Sequence, residues 1–208
     1  MILRAYTKKH GSSKPAGKAI TKDILDDMLA TLGDKLIDVR DKALLLFAWS
    51  SGGRRRTEVT NAEMKDLIKT PEGDFVYTIP KSKTDQTGMG NPVPIKGRAA
   101  RALSDWLALS QVSEGAIFRA VSKGGAIGSA LVDTDVYYIV KKILKKTGHD
   151  ETRFTAHSLR SGYVTTAGRA GIPIQEVMKL TTHRSMNTVM RYYHAGDVLN
   201  NSGSNLAD

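Results

Sequence analysis

From about Asp38 through Ala43-Leu44-Leu45-Leu46-Phe47-Ala48-Trp49 the chain is apolar nearly all round, and it stops at Gly52-Gly53. A helix of this kind has no polar face to offer water, so other elements must pack around it. Its apolar run, the longest in the sequence, is far short of the roughly 20 residues that a membrane-spanning helix needs. With 208 residues and 40% hydrophobic side chains, the chain is long enough for one large domain or two small ones without covalent staples.

Other elements can be set around this helix from their periodicity. Thr21 offers an N-cap before Ile24, Leu25, Met28, Leu29 and Leu32, which share a helical face, and Gly33 is expected to end that helix. Between Asp66 and Ile95 the period changes: Phe75, Tyr77 and Ile79 alternate with Val76 and Thr78, and Val93 and Ile95 follow a Gly-rich stretch. This predicts a small antiparallel sheet with a long hairpin loop over 80–91. Helical spacing returns over Arg98–Leu109 and Asp133–Lys146, with Lys123-Gly124-Gly125 as a loop between them. Three further helices are expected over 157–170, 174–180 and 186–194. The fold class is therefore mainly α with a small antiparallel β-sheet (α+β), with no internal repeat and no clear second core. Residues 1–18 read as a basic flexible arm or linker, 19–195 as the body, and 196–208 as a polar tail.

Lys and Arg number 31 against 21 Asp and Glu, a formal charge of +10, and the sequence pI is about 9.7. Such a balance favours a polyanionic partner, nucleic acid ahead of an anionic membrane surface. The absence of cysteine excludes disulfides, thiolate zinc sites and a Cys nucleophile. The first 17 residues lack the apolar run of a signal peptide, so an intracellular soluble protein without a membrane partner is expected.

A phosphodiester repels nucleophiles and builds negative charge on its nonbridging oxygens under attack, so it needs metal ions or several fixed cations. The carboxylates here are scattered, whereas cations cluster. His157 and Arg160, three apart, share a face of a helix beginning near His157, and Arg can grip two phosphate oxygens at once. Arg54-Arg55-Arg56 precede Glu58, and helical spacing lets Glu58 pair with either Arg54 or Arg55. His183 and Tyr192 are nine residues apart, about 900° of turn on one helix, so a break must intervene if they share a site. Arg184-Ser185 can supply it, with Ser185 capping a new helix.

These motifs resemble the tyrosine recombinase (phage integrase) family. Gly53-Arg54-Arg55-Arg56-Thr57-Glu58 is similar to the family segment in which Gly, then Arg two places on, then Glu three after it carry the first catalytic arginine, a register that points to Arg55. His157-Ser158-Leu159-Arg160 matches the family's H-x-L-R, and Thr188-Val189-Met190-Arg191-Tyr192 matches its nucleophile segment. The family's lysine lies in a hairpin loop, where Lys83 is the candidate and Lys81 the reserve. Thr181-Thr182 stand before His183 where the family often has Leu-Gly, and only a short arm precedes the body, so the chain looks like the C-terminal catalytic domain alone.

The resemblance implies site-specific recombination of double-stranded DNA through a 3′-phosphotyrosyl intermediate, with no cofactor, metal or ATP, by a homotetramer on paired DNA sites in the cytoplasm, at the nucleoid in a bacterium. It gives Tyr192 the role of nucleophile. Arg55 and Arg160 clamp the nonbridging oxygens, His183 adds a hydrogen bond, Lys83 protonates the leaving 5′-oxygen and His157 helps deprotonate Tyr192. Glu58 supports Arg55 or its neighbours. The alternatives are a type IB topoisomerase-like relaxing enzyme and a noncatalytic DNA-binding module.

Overall fold

The structure, a computed structural model, describes residues 17–80, 90–183 and 185–197. Its helices are α1 (Lys22–Ala30), α2 (Leu36–Ser50), α3 (Arg56–Thr60), α4 (Arg98–Ser110), α5 (Asp133–Lys146), α6 (Ser158–Arg169), α7 (Ile174–Thr181) and α8 (Met186–Asp197). Strands β1 (Leu67–Lys69), β2 (Phe75–Ile79) and β3 (Asn91–Ile95) form one antiparallel sheet in the order β1-β2-β3, and β4 (Arg119–Val121) pairs with β5 (Ile127–Ala130) in a second.

Helix α2 lies at the centre, as its all-round apolarity requires. Ala43 to Ala48 are all buried, and Phe47 meets Tyr77 of β2 and Phe118 edge-on, with ring centroids 5.0 and 5.4 Å apart. In the first sheet Phe75 faces Ile95 and Tyr77 faces Val93, and these four alternating side chains form its buried side. Helix α4 buries Ala99, Leu103 and Trp106 against α2, and α5 buries Val136, Ile139, Ile143 and Leu144. The start of α5 is held by Asp135, whose carboxylate accepts from the Val132 N–H at 2.8 Å, and Lys145 and Lys146 at its other end suit the dipole.

Several expectations are corrected. The chain has a second small sheet where only the Lys123-Gly124-Gly125 loop was expected, because Ile127-Gly128-Ser129-Ala130 lacks the alternation that marks a strand. Helix α1 ends at Ala30, capped by Thr31, before Gly33. Thr21 stands at its N-cap position, but its side chain makes no capping bond. There is also a second, small cluster of buried side chains, Val164, Ala167, Val177 and Val189, among α6, α7 and α8. Its four members are spread over three short helices, so no local run announces it.

Helix α6 connects these two clusters. Residues 17–21 run across it: Lys18 N–H donates to Arg153 O at 2.7 Å, Ile20 N–H to Ser158 O at 2.8 Å, and Trp49 Nε1 to Ile20 O at 3.2 Å. This crossing requires Gly162, since a Cβ there would stand 1.7 Å from the Ile20 carbonyl oxygen.

Candidate active site

The turn after α2 brings the arginine run against α6 and α7. Gly53 has φ of +68°, and a Cβ on it would lie 2.3 Å from the Arg160 Cα, so the two backbones touch. From here the three arginines diverge. Arg54 points inward and is 2% exposed, Arg55 is exposed just before α3, and Arg56 is half-buried beneath Tyr137.

Glu58 joins Arg54 to Arg160. One carboxylate oxygen accepts from the Arg55 backbone N–H at 2.6 Å and lies 3.7 Å from Arg160 Nη1, and the other lies 3.9 Å from Arg54 Nη1. The spacing left Glu58 free to pair with Arg54 or Arg55; its carboxylate faces Arg54 and Arg160, and it touches Arg55 only through the backbone. One carboxylate thus stands between two buried guanidiniums. Arg160 Nη1, Arg54 Nη1 and Arg54 Nε are buried without a hydrogen-bond partner among the described residues.

Arg160 projects from the first turn of α6 and is 6% exposed. Its Nε donates to His183 Nε2 at 3.2 Å, and its Nη2 donates to the Thr181 carbonyl. Burial pushes Arg160 down to about 10, with Arg54 and Arg55 acting in the same direction and Glu58 opposing; it remains a cation at neutral pH.

His183 follows the end of α7. Thr182 takes the left-handed conformation there (φ 56°), unusual for a β-branched residue, and a new helix starts at Met186. The nine residues from His183 to Tyr192 therefore contain the break that their spacing demands. Thr181 Oγ1 donates to Val177 O at 2.8 Å and lies 2.6 Å from His183 Nδ1. With that hydroxyl proton committed, Nδ1 carries the ring proton and Nε2 is left to accept from Arg160. Burial, and then the cations Arg160, Arg55 and Arg54, hold the imidazole down at about 4, so it is neutral at neutral pH.

The ordinary imidazole value is 6.5, so between about 6.5 and about 4 the unfolded chain binds the extra proton. Stability should therefore fall on acidification through this window. Urea midpoints measured at about pH 7 and about pH 5 should drop further for the wild type than for His183→Gln. Equal drops would show that the ring is not held neutral.

The last four carbonyls of a helix lack partners within it. At the end of α7 each is taken from a different direction. Met178 O accepts from the Thr182 and His183 N–H groups, Lys179 O from Asn91 Nδ2 of β3 at 3.2 Å, Leu180 O from Arg54 Nη2 at 2.5 Å, and Thr181 O from Arg160. The His183 turn is thus fastened to the sheet, to the arginine turn and to α6.

Of the residues expected in the site, Arg160, His183 and Glu58 meet directly. Arg55 makes no side-chain hydrogen bond or ion pair among the described residues, yet its charge acts on both Arg160 and His183. His157 occupies the position before α6 and is exposed; its ring makes no hydrogen bond to Arg160 or His183, because Arg160 turns inward while His157 faces solvent. Tyr192 is half-buried on α8 and packs against the small cluster, its carbonyl accepting from Thr165 Oγ1 at 3.1 Å. Tyr193, its neighbour, donates its hydroxyl proton to Ile172 O at 2.6 Å. Lys83 and Lys81 lie outside the described residues. Thr181 and Asn91 were not anticipated, Thr181 having shown itself only as a departure from the Leu-Gly pattern; Arg54 was expected only as one of two possible partners of Glu58.

The family model "Phage integrase family" matches residues 18–197. The integrase/recombinase XerD homolog of Selenomonas ruminantium is 35% identical over 187 residues, 86% of this chain and 54% of that protein. The recombinase Cre of Escherichia phage P1 is 23% identical over 211 residues, 92% of this chain and 61% of that protein. The chain thus spans little more than half the length of these relatives. A crystal structure of XerH site-specific recombinase in a post-cleavage complex with palindromic difH substrate superimposes with a TM-score of 0.69 at 20% identity, covering 92% of this chain and 53% of that one; it shares the fold. With a family match over nearly the whole described chain, and with Arg160, His183 and Glu58 gathered where α6 and α7 meet the arginine turn, the chain belongs to the phage integrase family.

Proposed function

We propose that this domain breaks and rejoins double-stranded DNA by transesterification through Tyr192. The observation that carries this reading is the excess of fixed positive charge around one carboxylate: Arg160 and Arg54 flank Glu58, Arg55 stands close by, and Arg160 Nη1 has no hydrogen-bond partner among the described residues. Such a cluster is preorganised for an anion with several oxygens, and a phosphodiester under attack gains most from it because its charge is then greatest. The name of the XerD homolog, an integrase/recombinase, supports the same chemistry.

In this mechanism the Tyr192 oxygen attacks phosphorus as its proton passes to His157. The bond from phosphorus to the 5′-oxygen breaks, and that oxygen takes a proton from Lys83. A 3′-phosphotyrosyl link remains, which a 5′-hydroxyl of the partner strand attacks in the reverse sense. Arg55 and Arg160 hold the nonbridging oxygens. When phosphate engages Arg160, its negative charge opposes the burial and the nearby cations that keep His183 neutral. Nε2 can then carry a proton and donate it to a phosphate oxygen. Residues 19–195 lie within the catalytic unit, and four copies act on two paired sites in the cytoplasm.

The test is covalent capture on a nicked DNA substrate in excess EDTA. A protein–DNA adduct is expected, together with joined products from two separate sites when both are supplied. A strict Mg²⁺ requirement for cleavage would overturn the mechanism, and relaxation of supercoils without joining between sites would assign the chain to a topoisomerase-like activity.

A further inference from the structure

Arg54 is a charged side chain where an apolar one would be cheaper to bury. It is 2% exposed, among Tyr77 of β2, Tyr163 of α6 and Glu58, and desolvation lowers its proton affinity. Removing a guanidinium from water costs several kcal/mol unless hydrogen bonds and counter-charge return it. Here the return is incomplete: Nε and Nη1 have no hydrogen-bond partner among the described residues, and Glu58 is 3.9 Å away. Among the described residues the guanidinium donates one hydrogen bond, from Nη2 to the carbonyl of Leu180, three residues before His183. At 2% exposure Arg54 is not available to a DNA phosphate.

We infer that Arg54 is a positioning residue: its buried guanidinium clamps the C-terminus of α7 and so fixes the turn that presents His183 to Arg160. The geometry suits this function. A cation at the C-terminus of a helix is favoured by the dipole and satisfies a carbonyl that the helix cannot. Leu180 O and Thr181 O are neighbours, and Arg54 takes one while Arg160 takes the other. The two arginines thus grip successive peptide units, and Glu58 between them limits their mutual repulsion. Gly52 belongs to the same device, since a Cβ on it would stand 2.6 Å from Leu180 O and 3.0 Å from Arg54 Nη2. The meaning of this device for strand cleavage rests on the function proposed above; the positioning itself does not.

The experiment compares the full 208-residue chain with Arg54→Met and Arg54→Lys. Imidazole ¹⁵N NMR, without DNA, reports the tautomer of His183 and its titration. In the wild type the proton should sit on Nδ1, with titration at about 4. Arg54→Met removes a nearby cation and frees the turn to hydrate, and both changes raise the value toward the ordinary 6.5. The two tautomers should then average.

On a nicked DNA substrate the single-turnover cleavage rate of Arg54→Met should fall about 100-fold, while DNA affinity changes less than about threefold, as expected for misplacement of a group rather than loss of a contact. Arg54→Lys, which keeps the charge but not the fork, should give intermediate values of both readouts. A folded Arg54→Met with wild-type His183 signals, or one losing rate and affinity in equal proportion, would overturn the inference. If Arg54→Met does not fold, Arg54→Lys decides: displaced His183 signals support the role, and wild-type signals with a wild-type rate refute it. A wild-type chain that does not cleave DNA would instead count against the proposed function, and the NMR comparison would still judge Arg54.

Discussion

Tyr192→Phe is expected to abolish covalent attachment of the chain to a nicked DNA substrate, a loss of more than about 10⁴-fold, since it removes the oxygen that forms the ester bond in the proposed mechanism. Only a hydroxyl is removed. The ring stays packed against the cluster of Val164, Ala167, Val177 and Val189, so stability should change by less than about 0.5 kcal/mol. DNA affinity, carried by cationic contacts to phosphate, should be nearly unaltered. Tyr193→Phe is the informative control. Its hydroxyl already donates to Ile172 O at 2.6 Å. Losing that bond should cost about 1 kcal/mol, or roughly 2–4 °C in melting temperature for a chain of this size, with adduct formation retained. If Tyr193→Phe removed the adduct and Tyr192→Phe spared it, the assignment of the nucleophile would be off by one residue.

Gly53→Ala is expected to have the largest effect of any single methyl group placed in the site. The left-handed conformation at φ of +68° costs an Ala about 1–2 kcal/mol. The new Cβ would also stand 2.3 Å from the Arg160 Cα and 2.8 Å from its N, atoms that cannot rotate away. Together with an overpacking cost of about 1–3 kcal/mol, the loss should reach about 2–5 kcal/mol. Thermal unfolding followed by circular dichroism should show a fall of roughly 5–15 °C. Any folded fraction should cleave DNA at least about 100-fold more slowly, because Arg160 is displaced. Gly125→Ala separates the two causes. It shares the positive φ, at +84°, but nothing lies within 4 Å of its added Cβ, so only the conformational cost of about 1–2 kcal/mol remains. Equal effects at the two positions would show that the close approach of Gly53 to Arg160 does not constrain the site.

Where a helix or strand has one buried face, its pattern was legible in the residues themselves. The apolar run in α2, the inner stripe of α5 and the alternation of Phe75, Tyr77, Val93 and Ile95 each state which side chains leave water, because burial repeats with the period of the backbone. Elements too short to complete a period escaped. Helix α3 has five residues, and β4 and β5, three and four residues long, pair with each other in a hairpin of irregular register that Leu131 N–H extends to Phe118 O.

The sequence by itself determined the chemical types present and their order: an arginine run before Glu58, His157 and Arg160 three apart, and a helix break between His183 and Tyr192. Those follow from local spacing, which every conformation of the chain shares. Only the tertiary structure decided which arginine of Arg54-Arg55-Arg56 is buried, that Glu58 faces Arg54 and Arg160, that Thr181 sets the tautomer of His183, and that Asn91, Arg54 and Arg160 converge on the end of α7. Leu180 and Arg54 are 126 residues apart, so no periodicity relates them. What joins them is the need of a buried helix terminus to find donors for its carbonyls, and those donors come from whichever elements the core has packed beside it.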